Sequence, residues 1–357
     1  MNRPVTVVIV SDGKPGHLNP CIGVSKRLAT GPTGAVHSTF EPKITRAQTL
    51  PVRLKLRFRR PDSWSREEAA ALLGRTIGMP TGFLDRPPDV VLSAGTVAGT
   101  VGVLLSLATG ARAVSLTSPN LTPAGYFNLL CIPQHDIRGT PSSNVVPLLL
   151  APANFTREEA QKAARALSAA HSLTPRYRFV AFLVGGSTKG YRLPVDRLVE
   201  IGELLLEHTH ASGEKLLVTT SRRTPLPLER ALKDLFQGHP DVAYAVWAHE
   251  SPENPVPAFL GLADKVVVTE DSYSMVSEAA CIGIQAFVLK LGLRRKFARS
   301  YSRLATAGYI QWDSEPGLRP YLNALSGGRA YDAASIAANA ILERLERPIR
   351  APIHPLP

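Results

Sequence analysis

Short, almost uncharged runs rich in Val, Ile and Leu recur along this chain, and each gives way to a glycine- or hydroxyl-rich turn and then to an amphipathic stretch. Val5–Val10 leads through SDGKPGH into a helical stretch at 19–29, and Val90–Ser93 leads through Ala94-Gly95-Thr96 into a second helix. A strand without polar alternation is buried on both faces, the condition of a parallel sheet covered by helices. The pattern therefore predicts βαβ units. Runs at 113–116, 127–132 and 144–149 extend this first series. At 150–178 the alternation breaks into a helix capped by Thr156 and a Pro-bearing loop. It restarts with Phe179–Val184, a helix at 195–208, Lys215–Thr220, a helix from Pro225, and strands at 242–247, 265–269 and 285–289. With 357 residues, more than one hydrophobic core usually organises, the expectation is α/β: two Rossmann-like parallel-sheet domains facing a cleft. They would span 1–155 and 176–330, joined by a linker at 156–175 and followed by a closing helix and tail at 331–357.

Val90–Ala111 carries no charge and is long enough to cross a bilayer. Gly95, Gly99 and its Ser and Thr residues argue instead for a buried strand, a glycine turn and a buried helix. Cys21, Cys131 and Cys281 are odd in number and widely spaced, without C-x-x-C. The first residues lack a small-residue cleavage site, so a cytoplasmic protein is expected. Formal charge is +12, and residues 1–60 hold eleven Lys or Arg against Asp12 and Glu41. That excess implies an anionic partner: nucleic acid, anionic lipid or a phosphorylated substrate.

In open α/β sheets, ligands bind at loops beyond the carboxyl ends of strands. Three such loops in the second half are Gly185-Gly186-Ser187-Thr188-Lys189, Ser221-Arg222-Arg223-Thr224 and Glu270-Asp271-Ser272-Tyr273-Ser274-Met275. Glycines let backbone amides approach an anion, and arginines pair with phosphate oxygens; a tight turn and a solvated face are the alternatives. The third loop is more specific. Asp271 or Ser272 caps a helix whose free N–H groups favour phosphate. Glu278, seven residues after Asp271, returns to the face of Asp271, Ser274 and Met275, where it can accept both ribose hydroxyls. Its apolar neighbours Val276, Ala279 and Ala280 argue against an ordinary exposed position.

In the first half, Asp12 and His17 are candidate bases beside a helix start, with capping the alternative. His135-Asp136 follows another strand. No P-loop, G-x-G-x-x-G, H-E-x-x-H or Asp-x-Asp pattern occurs, so neither a dinucleotide cofactor nor a metal is implied. In LPVRLKLRFRRPDSW, Leu54, Leu56 and Phe58 alternate with Arg53, Lys55, Arg57 and Arg59. The period is nearer two than 3.6, which predicts a half-buried strand or ordered loop, and the Arg53–Arg60 region suits an anionic membrane surface. Few aromatics accompany these cations, so nucleic acid is not the expected partner.

Taken together, SDGKPGH, PDVVLSAGT, the IPQHD segment, LVGGSTKGYR, LLVTTSRRTP and VVVTEDSYSMVSEA resemble the mitochondrial-fission "elongated mitochondria" family. That resemblance implies a glycosyltransferase-B-like fold and a nucleotide-diphosphate sugar as substrate. By it Glu278 holds the donor ribose, Ser272, Ser274 and Met275 the diphosphate, and His17 lies near the reacting sugar. The implied activity is metal-independent glycosyl transfer to an envelope acceptor. A nucleotide-sugar epimerase and a non-catalytic membrane-fission adaptor are the alternatives.

Overall fold

The structure, a computed structural model, describes residues 3–31, 34–78, 82–137, 139–174, 176–187, 191–292, 295–325 and 327–346. The chain forms two compact units, residues 1–154 with 333–357, and residues 155–332.

The first unit contains β1 (Thr6–Val10), α1 (Pro15–Thr30), β2 (Val36–Phe40), α2 (Leu50–Phe58), α3 (Arg66–Ile77), β3 (Val90–Ser93), α4 (Thr96–Thr109), β4 (Arg112–Ser115), β5 (Leu129–Pro133) and β6 (Val145–Leu148). Its strands form one parallel sheet in the order β2-β1-β3-β4-β5-β6. The uncharged segment divides as expected: β3 is wholly buried, Gly95 turns the chain at φ 88°, and α4 is buried along nearly its whole length. Among the described residues no helix is long and apolar enough to cross a membrane.

Two local expectations are corrected. α1 begins at Pro15 rather than near Asn19, because a proline in the first turn has no amide to leave unsatisfied and its φ is already helical. Residues 50–58 are a helix, not a strand or loop. The alternation of Leu with Lys or Arg hid a helical pattern in which Val52, Arg53 and Leu56 turn inward.

The second unit contains α5 (Arg157–His171), β7 (Phe179–Leu183), α6 (Val195–Ser212), β8 (Lys215–Thr219), α7 (Leu226–Phe236), β9 (Val242–Val246), α8 (Val256–Leu262), β10 (Lys265–Thr269), α9 (Tyr273–Cys281), β11 (Ala286–Leu289), α10 (Arg295–Thr306), β12 (Ile310–Asp313) and α11 (Leu318–Asn323). Its sheet is parallel in the order β12-β11-β10-β7-β8-β9. Thr156 caps α5 through a reciprocal box with Glu159, each side chain accepting from the other residue's amide. α5 packs on α8, so residues 157–171 form part of this unit's own helical layer. The last helix, α12 (Ala333–Glu346), packs on α1 and returns to the first unit.

At the amino edge of the second sheet, Lys265 Nζ donates to Glu214 at 2.8 Å and His208 Nε2 lies 2.7 Å from the same carboxylate. Lys265 and Glu214 are both about 5% exposed in their side chains. Burial pushes the Glu214 carboxyl up, but the hydrogen bonds and charges of Lys265 and His208 outweigh it and hold it below its ordinary value. A lowered carboxylate contributes stability that is present at neutral pH and lost as pH falls through the folded-state value. Glu214→Gln strands the Lys265 charge, so urea unfolding at neutral pH should show a loss of about 3 kcal/mol. The difference from wild type should shrink below about pH 4.

Candidate functional site

In both sheets the first strand of the unit lies inside the sheet, and successive strands run outward from it on both sides. The crossover helices therefore diverge there and leave a crevice at the carboxyl edge. In the second unit β7 lies between β10 and β8, so the loops after these strands are neighbours. Three backbone amides of the loop after β7 fasten them together. The Gly185 amide donates to Thr269 Oγ1 at 2.8 Å, Gly186 to Asp271 Oδ2 at 2.6 Å, and Ser187 to the Arg223 carbonyl at 3.1 Å.

These bonds give the glycines a different reason from the expected one. A Cβ on Gly185 would lie 2.3 Å from Asp271 Oδ2, and one on Gly186 would lie 2.2 Å from the Arg223 carbonyl carbon. Glycine is needed so that three loops can touch, and the amides expected to meet an anion serve the protein instead. Thr188 and Lys189 lie outside the described residues.

After β8, Ser221 and Thr224 close a turn. The Ser221 amide donates to Thr224 Oγ1 at 2.8 Å and the Arg223 amide to Ser221 Oγ at 3.2 Å. Thr224 Oγ1 in turn donates to the Gly185 carbonyl. The turn leaves Arg222 and Arg223 exposed. Beneath it, buried Thr220 and Glu229 are hydrogen-bonded, Glu229 accepts from the His249 amide, and the His249 ring meets the Thr224 carbonyl at 2.8 Å. Sequence reasoning placed Thr224 in the candidate loop without its supporting role and missed Glu229, which stands just beyond the motif.

The third loop separates into supporting and open groups. Glu270 is buried, its carboxylate accepting from the Leu291 amide at 2.8 Å and the Trp312 indole at 3.2 Å. Its backbone carbonyl accepts from Tyr301. The Asp271 side chain is wholly buried, with Arg223 Nη2 3.9 Å away and Oδ1 without a hydrogen-bond partner among the described residues. Burial raises its carboxyl, against the hydrogen bonds of Thr269 and Gly186 and the Arg223 charge. Met275 is also buried. The expected shared face of Asp271, Ser274, Met275 and Glu278 is thus narrower: exposed Ser274 and half-buried Glu278, one turn apart.

Ser272 is the buried N-cap residue of α9, and among the described residues no side chain caps that start. A helix start of this kind favours an anion. Glu278 has no hydrogen-bond or ionic partner among the described residues, and burial alone pushes its carboxyl up to about 8.

In the first unit, Asp12 and His17 are brought together. His17 Nδ1 lies 3.0 Å from both Asp12 oxygens, and Lys14 Nζ lies 3.3 Å from Oδ2. Burial raises the Asp12 carboxyl, but the His17 and Lys14 hydrogen bonds and charges outweigh it and leave it below its ordinary value. An ionised Asp12 assigns the proton to Nδ1 and leaves Nε2 as the acceptor. Asp12 is therefore the orienting partner and His17 the candidate base. Gly95, at φ 88°, makes room for the ring: a Cβ there would lie 2.4 Å from His17 Nδ1. His135 and Asp136 occupy a short turn after β5, with the His135 side chain buried.

A sequence model described as Mitochondrial fission ELM1 matches residues 15–345. The chain belongs to the mitochondrial fission ELM1 family. No curated protein matches its sequence. Solved structures match this ELM1-family chain over almost its whole length. A UDP-GlcNAc 2-epimerase from Methanocaldococcus jannaschii is 12% identical with TM-score 0.60, covering 96% of this chain and 99% of that one. The same archaeal enzyme in complex with UDP-GlcNAc and UDP gives 12% identity and TM-score 0.50, covering 95% and 99%. A putative UDP-N-acetylglucosamine 2-epimerase from Listeria monocytogenes gives 12% and 0.53, covering 97% and 98%. The fold of this ELM1-family member is of the glycosyltransferase-B type, two Rossmann-like parallel-sheet units.

A carboxyl raised by burial stabilises the folded state fully below its unfolded value and loses that contribution as pH rises through the folded one. Glu278→Gln should therefore melt like wild type near pH 4 and above it near pH 9, by up to about 5 kcal/mol. Parallel melting curves across that range would remove the raised Glu278 carboxyl from the account.

Proposed function

We propose that this protein is a nucleotide-diphosphate-sugar-dependent glycosyltransferase, acting on an envelope glycolipid or polysaccharide acceptor without a resident metal or cofactor. The observation that carries the reading is Glu278: a half-buried carboxyl group without a partner among the described residues, one turn beyond Ser274 on a helix whose start no described side chain caps. Such a group asks for hydrogen-bond donors from outside the chain, and a ribose supplies two hydroxyls. The α9 start and the exposed guanidinium groups of Arg222 and Arg223 suit the diphosphate. Their positive charge stabilises the leaving group, the work a metal would otherwise do.

His17, held by Asp12 with Nε2 as acceptor, takes the proton from the acceptor hydroxyl. Glu270, Asp271, Gly185, Gly186 and Ser187 shape the donor loops, and Ser221 fixes the turn that displays the arginines. The acceptor is met at an anionic membrane surface, contacted through the Arg53–Arg60 region from the cytoplasmic side.

A thermal-shift screen of nucleoside-diphosphate sugars should show one that raises the melting temperature. Glu278→Ala should weaken that ligand by about 10–100-fold, and Arg222→Ala with Arg223→Ala by a similar factor. His17→Ala should leave donor affinity intact and lower turnover by about 100-fold or more. Unchanged donor affinity in Glu278→Ala would take that residue out of the site.

A second reading, epimerisation of the donor sugar, needs the same donor loops and no acceptor, and UDP-GlcNAc 2-epimerases are among the proteins that share the fold. Incubation with the donor alone separates the two: sugar isomerisation supports the epimerase, and dependence on an added acceptor supports transfer. A non-catalytic adaptor would keep its function in His17→Ala and Glu278→Ala.

A further inference from the structure

We propose that one face of α2 is the element that seats this protein on an anionic lipid surface, with Leu50, Leu54 and Phe58 entering the interface between headgroups and acyl chains. The inference rests on the membrane reading of the Arg53–Arg60 region and is independent of sugar transfer. Leu50, Leu54 and Phe58 are 42%, 45% and 86% exposed, and they are three of the nine large hydrophobic residues exposed among the described residues. Their spacing of four places them on one stripe about 80° wide, on the side of the helix away from buried Val52 and Leu56.

Cations flank the stripe on both sides. At the helical repeat Arg57 falls about 20° beyond Leu50, and Lys55 about 60° beyond Phe58. Lys55, Arg57 and Arg60 have no carboxylate partner among the described residues, which leaves their charges to pair with lipid phosphates. Two other cations of the segment are otherwise engaged. Arg53 is 3% exposed and donates to the Arg46 carbonyl at 2.8 Å, and Arg59 pairs with Glu68 at 2.9 Å while lying over the Trp64 ring.

Phe58 also borders a groove of about 660 Å³ beside α3, whose lining combines Trp64, Ala71 and Leu72 with the charged Lys55, Glu67, Glu68 and Arg75. An apolar stripe bordered by unpaired cations is the arrangement of a helix lying in a membrane interface, where area burial and attraction to anionic headgroups act together. Duplex nucleic acid would meet the cations and leave the stripe in water. A second copy of the chain would bring like charges face to face.

The test is flotation of the full-length protein with phosphatidylcholine vesicles, with and without phosphatidylglycerol. Wild type should float with the anionic vesicles and be released as salt rises. Leu54→Ser with Phe58→Ser should lower vesicle affinity by at least about tenfold. Lys55→Glu with Arg57→Glu should abolish the preference for phosphatidylglycerol. All four positions are exposed, and unchanged melting temperatures check that the variants fold. Wild type that floats with neither vesicle overturns both this inference and the membrane reading. Wild type that floats while both variants float equally well overturns the α2 face alone. A sedimentation dimer lost in the serine variant, or duplex DNA bound more tightly than vesicles, would assign the face to those partners and overturn the proposal.

Discussion

Three backbone amides in the turn after β7 hold the candidate donor site together, because two reach the end of β10 and its loop and the third reaches the loop after β8. Each such bond contributes about 1 kcal/mol, and a buried amide left without one costs more. The loops after β7, β8 and β10 therefore keep one geometry, and their small residues are the means of it. What this bonding leaves over among the described residues, Arg222, Ser274, Glu278 and the start of α9, makes up the proposed donor site. A division of labour follows within one motif. In TEDSYSMVSE, Glu270 and Asp271 serve the protein's interior, while Ser274 and Glu278 remain open to a ligand.

The first unit solves a similar problem at its own interior strand. β1 lies between β2 and β3, the loop after β1 carries Asp12, the first turn of α1 carries His17, and the loop after β3 supplies Gly95 to accommodate the imidazole. Here the fixed geometry serves a tautomer rather than a loop contact. Asp12 sets the Nδ1 proton, and His17 is confined between that carboxylate and a backbone too close for any side chain. In both units the chemistry-bearing groups fall where strand order reverses, since that is where a parallel sheet exposes its carboxyl edge.

Most of this layout was legible in the sequence because buried parallel strands are continuous apolar runs. KVVVT is β10 to the residue, and FVAFL is read one residue too long. β2 was missed because VHSTF is polar and exposed, as an edge strand can be. α2 was misread because its cations occupy inward as well as outward positions; a buried arginine such as Arg53 breaks the pattern on which periodicity relies. For the site, the loops were found but the orientation of their groups was not. Nothing in the letters separates Glu270, bonded to the Trp312 indole, from Glu278, which has no partner among the described residues, because Trp312 is 42 residues away.

The return of α12 to the first unit has a consequence for how the chain is made. α1 packs against a helix that lies more than 300 residues later, so the first unit is discontinuous in sequence while the second is one uninterrupted stretch. On the ribosome, residues 155–332 are complete and able to fold before α12 emerges. The unit that is synthesised first therefore finishes last, with one side of α1 uncovered until the closing helix arrives.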